Sequence, residues 1–373
     1  MRKRRMMMHR IVSIVLILLS FSFYFAGTCK ACSVFRVIAK DGTIISGRTM
    51  EFGYDLKDSI IVVPRNKQFT SPAPNNKQGL TWKTKYGYVA TNAFGEEGGI
   101  NDGLNETGLA FSALWYEEDM KWQDVGPHET NSALANIGLG TWILGNFSSV
   151  DEVKIAITKV KVFGLYVPQM GIVPPSHIIV YDAKGGCIVV EYENGEPRIY
   201  DNPLGIMTNA PNFPWMVTNL RNYIGMSDEK LTAKVFSGIK LSPTGHGSGM
   251  WGLPGDITPP SRFVRLAVMT HFADQQENAE KTLNLAQHIV SAIHIVRGMV
   301  VDRAPDGKIV SSETTQWSSF RDLTNRVYYF RTYDNFNLRK IDLKKLDFNA
   351  SKVKSIPMTG DTELMLDITD RIK

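Results

Sequence analysis

Residues 11–27, IVSIVLILLSFSFYFAG, form an apolar run without a charge, and beyond it the pattern shortens and begins to alternate. SVFRVIA, a turn at KDG and TIISGRTMEF read as paired strands. SIIVVP, YGYVATNAF and GLAFSALWY follow, each short, β-branched or aromatic, and bounded by Gly, Asn or Pro. The period then lengthens. ETNSALANIGLGTWILGNF and SSVDEVKIAITKV are predicted helices, the second with a Ser cap and early acids. Alternation returns in SHIIVYDAKGGCIVVEYENGEPRIY, where NG marks a hairpin turn. PPSRFVRLAVMTHF and ENAEKTLNLAQHIVSAIHIV carry apolar residues at helical spacing, and SSETTQWSSFRDL and RVYYFRTYDN close on strands. Hairpins and helix pairs come in blocks and not as βαβ units. That predicts an α+β fold of antiparallel sheets with helices on their outer faces. No linker, charge block or repeat interrupts residues 32–373, which are expected to form one domain.

The apolar run has a basic preface, MRKRRMMMHR, and a small residue, Ala31, after TCK. This is the plan of a secretory signal, with cleavage expected between Ala31 and Cys32. The rival is an uncleaved anchor, because the run is nearly long enough to span a membrane. Cleavage changes the charge. The whole chain carries +5, but residues 1–31 hold six of its basic residues and no acid, leaving 36 Lys+Arg against 37 Asp+Glu. A near-neutral mature chain gives no sign of nucleic-acid binding. The expected product is exported, periplasmic or secreted, and not inserted in a membrane after processing.

Cleavage also sorts the three cysteines. Cys29 leaves with the signal, and Cys32 and Cys187 remain, too few for a disulfide scaffold in an exported chain. Cys187 opens an alternating segment and reads as a small buried residue. Cys32 becomes the first residue. Its α-amino group, with a reference pKa of about 7.7–8.0, is partly neutral near pH 7 and can take the thiol proton itself. Nucleophile and base then belong to one residue.

A first-position Cys followed by SVFRVIAKDGTIISGRTMEFG resembles the start of the choloylglycine hydrolase and penicillin V acylase family, the cysteine branch of the N-terminal nucleophile hydrolases. The similarity continues through NETGLAFSALWY, NPLGIMTNAPNFPWMVTNLRNYIG, GMWGLPGDITPPSRFVRLA and DLTNRVYYFRTYDN, in the family's order over most of residues 32–335. The resemblance implies a four-layer αββα sandwich that hydrolyses linear amides through a thioester. It implies that Cys32 is the nucleophile and that Arg48 is the positive charge beside the thiol, favouring thiolate. Asn209 matches the side-chain oxyanion donor, Trp115 the position of the backbone donor, and Arg262 a second active-site arginine. Glu51 stands where the family commonly has Asp holding the α-amine, so the charge is kept on a longer arm.

The substrate classes implied are conjugated bile salts first, then penicillin V and N-acyl-homoserine lactones. All are small amides with a bulky apolar acyl group, and loops 65–80, 117–129 and 164–175 are expected to choose among them. The family implies a bacterial source. Its frequent homotetramers are neither supported nor excluded by the chain.

Other patterns lack context. CKAC has neither a βαβ neighbourhood nor further ligands for redox or zinc chemistry, and Thr28 before Cys29 argues against a lipidated cysteine. GSGMWG fits a dinucleotide-loop spacing, but LPGDITPP after it opens no helix. The histidines form no HExxH or His/Cys cluster, and His288 and His294 read as structural residues of an apolar helix. No cofactor or metal is implied. Two rivals stand beside the amidase: a papain-like Cys–His enzyme, and an inactive membrane-anchored binding protein of the same fold.

Overall fold

The computed structural model describes residues 31–117, 120–360, 363–365 and 368, so the expected signal lies outside the described residues apart from Ala31. Two antiparallel sheets stack face to face. The first takes β1 (Cys32–Ile38) and β2 (Ile44–Phe52) from the start of the chain. From its end come β16 (Val300–Arg303), β17 (Ile309–Asp322), β18 (Val327–Thr332) and β19 (Arg339–Asp342). The strand order is β1-β2-β17-β18-β19, with β16 also on β17.

The second sheet uses β3 (Ser59–Val63), β6 (Tyr88–Asn92), β7 (Ile100–Asn105), β8 (Ala110–Trp115), β11 (Ser176–Tyr181), β12 (Cys187–Glu193), β13 (Glu196–Asp201) and β20 (Lys354–Pro357). Its order is β13-β12-β11-β8-β7-β6-β3-β20. Three short pairs lie apart: β4 (Gln68–Ala73) with β5 (Lys77–Lys83), β9 (Ala133–Ala135) with β10 (Lys161–Phe163), and β14 (Lys234–Phe236) with β15 (Ile239–Leu241).

Five helices are described: α1 (Leu139–Asn146), α2 (Val150–Ile157), α3 (Phe213–Asn219), α4 (Pro259–Phe272) and α5 (Ala279–Ser291). α4 and α5 pack on β1 and β2, while α1 packs on β7 and β8, so helices cover both outer faces. This is the four-layer α+β arrangement that the resemblance implied. It also explains why all nine residues of β2 are buried: a strand covered on both faces loses its polar alternation.

β1 and β2 form a seven-pair ladder around a turn in which Gly42 adopts φ 85°. Phe35 pairs with Gly47, and a Cβ on that glycine would lie 2.6 Å from the ring. The bare glycine lets Phe35 bury completely, which contributes about 2 kcal/mol.

The NG hairpin forms as expected, with Asn194 and Gly195 both at positive φ. So does the cap of α2, where Ser149 accepts from the Glu152 N–H. The predicted helix over ETNSALANIGLGTWILGNF is real only in its second half. Ala133–Ala135 instead runs parallel to β10, and the Ala135 N–H donates to Ser71 Oγ at 2.8 Å. Tertiary pairing outweighs helix propensity there. His288 lies exposed on α5, and His294 lies just beyond it, bonded to Ser318 Oγ at 3.0 Å.

Candidate active site

Side chains alternate along a strand, so the register Cys32↔Met50 and Val34↔Arg48 sets Cys32, Met50 and Arg48 on the face toward the second sheet. Ser33, Thr49 and Glu51 take the opposite face, toward α4. The site therefore straddles the first sheet at the free end of β1, with sulfur on one side and carboxylate on the other.

On the inner face, Cys32 Sγ lies 3.6 Å from Met50 Sδ and 3.9 Å from an Arg48 guanidinium nitrogen. Arg48 is fully buried, donates to Ala113 O at 2.6 Å and to Asn101 O, and stands 3.4 Å from Asp102 Oδ1. Asp102, on β7, also accepts from Ser112 Oγ at 2.7 Å, Ser319 Oγ at 2.8 Å, Tyr328 Oη at 2.8 Å and the Arg321 guanidinium. A single buried carboxylate thus fixes Arg48 and ties the two sheets together. Burial pushes the Cys32 thiol above its ordinary value; the Arg48 charge opposes that rise without reversing it. Arg48 acts in the expected direction, but desolvation is the larger effect.

On the helix face, Arg262 leaves the first turn of α4 and donates to Cys32 O at 2.6 Å, Asn209 Oδ1 at 2.8 Å and Ser33 Oγ. Asn209 Oδ1 also accepts from Cys32 N at 2.8 Å, and Asn209 Nδ2 donates to Trp115 O at 2.8 Å. Glu51 accepts from Thr315 Oγ1 at 2.6 Å and Thr49 Oγ1 at 3.0 Å. Burial pushes its carboxyl up to about 7. All six residues singled out from the sequence therefore meet: Cys32, Arg48, Glu51, Trp115, Asn209 and Arg262.

A cleft of about 910 Å³, open solvent at its mouth included, opens onto Cys32. Its walls are chiefly apolar, with Phe52, Leu56, Ile100, Phe111, Leu114 and Met170 among them. Of the three loops expected to shape it, 164–175 supplies Val167, Met170, Pro174 and Pro175; the 65–80 loop borders the adjoining cleft, and 117–129 supplies no lining residue to either among those described. GSGMWG lines no part of this cleft either. Among the described residues no histidine lines it, and no cluster of three His, Cys, Asp or Glu able to hold a metal ion is found.

Sequence reasoning missed Met50, Asp102, Thr315 and Glu313. Asp102 lies in INDGLN, whose Asn, Asp and Gly are poor strand formers. For Glu313 and Thr315 a signal existed: alternation in SSETTQW sets both on one strand face.

A model of the linear amide C–N hydrolases, choloylglycine hydrolase family, matches residues 32–356. The chain belongs to the choloylglycine hydrolase family. It is thus a hydrolase of linear amide C–N bonds, on a fold shared with solved family members. A bile salt hydrolase/transferase of Clostridium perfringens is 32% identical over 327 residues, covering 87% of this chain and 96% of that protein. A penicillin V acylase of Pectobacterium atrosepticum is 25% identical, covering 82% and 78%. Among crystal structures, a variant of the conjugated bile acid hydrolase from Clostridium perfringens superposes with TM-score 0.78 at 28% identity, covering 91% of this chain and all of that one.

Proposed function

We propose that this family member is an exported conjugated bile salt hydrolase, active after loss of residues 1–31 through a Cys32 thioester. The observation that carries the reading is the apolar cleft ending at Cys32 Sγ, suited to a bulky hydrocarbon acyl group whose small polar amine stays outside. The bile salt hydrolase/transferase of Clostridium perfringens, at 32% identity, supports the same substrate class, and the family match beginning at Cys32 is consistent with a leader ahead of it.

The steps follow from the placement of the groups. The freed Cys32 amine takes the Sγ proton, and sulfur attacks the amide carbon. The oxyanion receives one hydrogen of Asn209 Nδ2, whose other hydrogen is held by Trp115 O; the Trp115 backbone N–H is the second donor. The Cys32 ammonium returns its proton to the leaving nitrogen, glycine or taurine departs, and a thioester remains. Water, deprotonated by the same amine, attacks that carbonyl and releases the bile acid and the thiol. Asn209 Oδ1 holds the nitrogen of Cys32 throughout, and Arg262 holds its carbonyl oxygen.

The test is amine release from glycocholate, taurocholate, penicillin V and an acyl-homoserine lactone by processed enzyme. Bile salts are expected to be the preferred substrates, and Cys32→Ala is expected to lower the rate by roughly 10⁴-fold or more, the usual cost of losing a nucleophile. Preference for penicillin V or for the lactone replaces the substrate assignment; undiminished hydrolysis by Cys32→Ala overturns the mechanism.

A further inference from the structure

Glu313 is a buried carboxylate that the mechanism above does not use. It is 2% exposed, and its Oε1 has no hydrogen-bond partner among the described residues. β17 carries it two residues before Thr315, on the same strand face, and Thr315 is paired with Glu51 and bonded to its carboxylate. The Glu313 carboxylate meets the backbone N–H of Ala31, the residue directly ahead of Cys32. Ala31 is itself seated on β2, its carbonyl accepting from the Glu51 N–H at 3.1 Å.

We infer that Glu313 is a positioning residue for the freed α-amino group of Cys32, sharing with Glu51 the negative charge that the new ammonium meets. The inference rests on the reading that residues 1–31 are removed.

Charge count supports it. While Ala31 is attached, the Cys32 nitrogen is a neutral amide. Two buried carboxylates then face the Arg262 guanidinium, with Asp302 adding a further negative charge from β16 and Arg48 a positive one toward Glu51 from the other side of the sheet. Burial, and then Glu51 itself, push the Glu313 carboxyl up to about 8. Cutting the Ala31–Cys32 bond creates a cation at the end of β1 and removes the N–H that Glu313 had met. The carboxylate gains an ammonium donor where it loses an amide. With its longer arm Glu51 stays anchored on Thr315 and Thr49, so the second carboxylate completes the counter-charge.

The test uses processed protein, its N-terminus established by intact mass, and follows alkylation of Cys32 by iodoacetamide against pH. Removing a negative charge lets both the amine and the thiol lose their protons at lower pH. Glu313→Gln is therefore expected to move the alkylation midpoint down by roughly one pH unit, and Glu313→Asp, which keeps the charge, to leave it near wild type. Glu313→Met, apolar and of similar length, gives the same shift as Glu313→Gln and serves should that variant not fold. A midpoint unmoved in Glu313→Gln or Glu313→Met, with Cys32 confirmed as the first residue, overturns the role of Glu313 alone. Active protein that still carries Ala31 overturns this role together with the N-terminal mechanism.

Discussion

Asp102 shows how much of the site rests on one side chain. It holds Arg48 beside the thiol and Arg321 across the sheets, and both guanidiniums are fully buried. Asp102→Asn leaves two buried cations without their counter-charge, which is expected to cost about 3 kcal/mol in urea unfolding. Arg48 then loses its anchor. A displacement of about 1 Å at such a group lowers turnover by roughly 100-fold, to be read as kcat on the preferred amide substrate. Asp102 was hidden in the sequence because its strand is built from weak strand formers. Arg48, Asn209 and Arg262 were legible only through the blocks around them: an arginine in GRTMEF or an asparagine before AP carries no chemistry by itself. Glu51 was legible as a charge, but its bond to the Thr315 hydroxyl depends on β17 lying beside β2, and no local pattern states that pairing.

Among the elements, α4 is the one whose start matters most, because Arg262 lies in its first turn. Asp256 ties that turn down, accepting from the Thr258 N–H at 2.9 Å and from Ser261 Oγ at 2.6 Å, while Arg265 bonds Asp256 O at 2.6 Å. These hydrogen bonds hold the Asp256 carboxyl down at about 2, against an unfolded value of about 3.9. A lowered folded pKa contributes stability above the unfolded value and loses it as pH falls. Wild type is thus expected to lose stability between about pH 4 and pH 2, and Asp256→Ala to lose that pH dependence along with part of its amide turnover, both measured on the same preparation. The elements themselves were largely legible. β1, β2, β8, β12, α4 and α5 have clean periods and clear stops. The half-lost helix at 129–147 was not, because its first residues are claimed by a strand that arrives 28 residues later, and β7 failed on composition.

For the molecule as a whole, the two carboxylates beneath Cys32 make stability depend on what precedes it. Glu51 and Glu313 have folded values of about 7 and about 8, above an unfolded value of about 4.3. A raised folded pKa contributes stability that is full below the unfolded value and is lost as pH rises through the folded one. A chain that keeps residues ahead of Ala31, so that no ammonium stands beside either carboxylate, is therefore expected to lose melting temperature between pH 5 and pH 8. A chain beginning at Cys32, whose ammonium meets both carboxylates, is expected to lose less; calorimetry of the two forms over that range decides it. The layered architecture was legible from the blockwise order of hairpins and helices. Which loop walls the cleft was not, because loops 65–80, 117–129 and 164–175 look equally open as strings of residues, and only their landing places distinguish them.

Met50, opposite Cys32 in the ladder, brings a thioether within 3.6 Å of the Cys32 thiol. A peroxide admitted along the cleft meets two oxidisable sulfurs side by side. Sulfoxide formation at the methionine would set a polar oxygen among Cys32 and Arg48 while leaving the thiol chemically intact. Such a lesion is erased by a methionine sulfoxide reductase, whereas overoxidation of the cysteine is not, so the thioether would offer oxidants a repairable target beside the thiol.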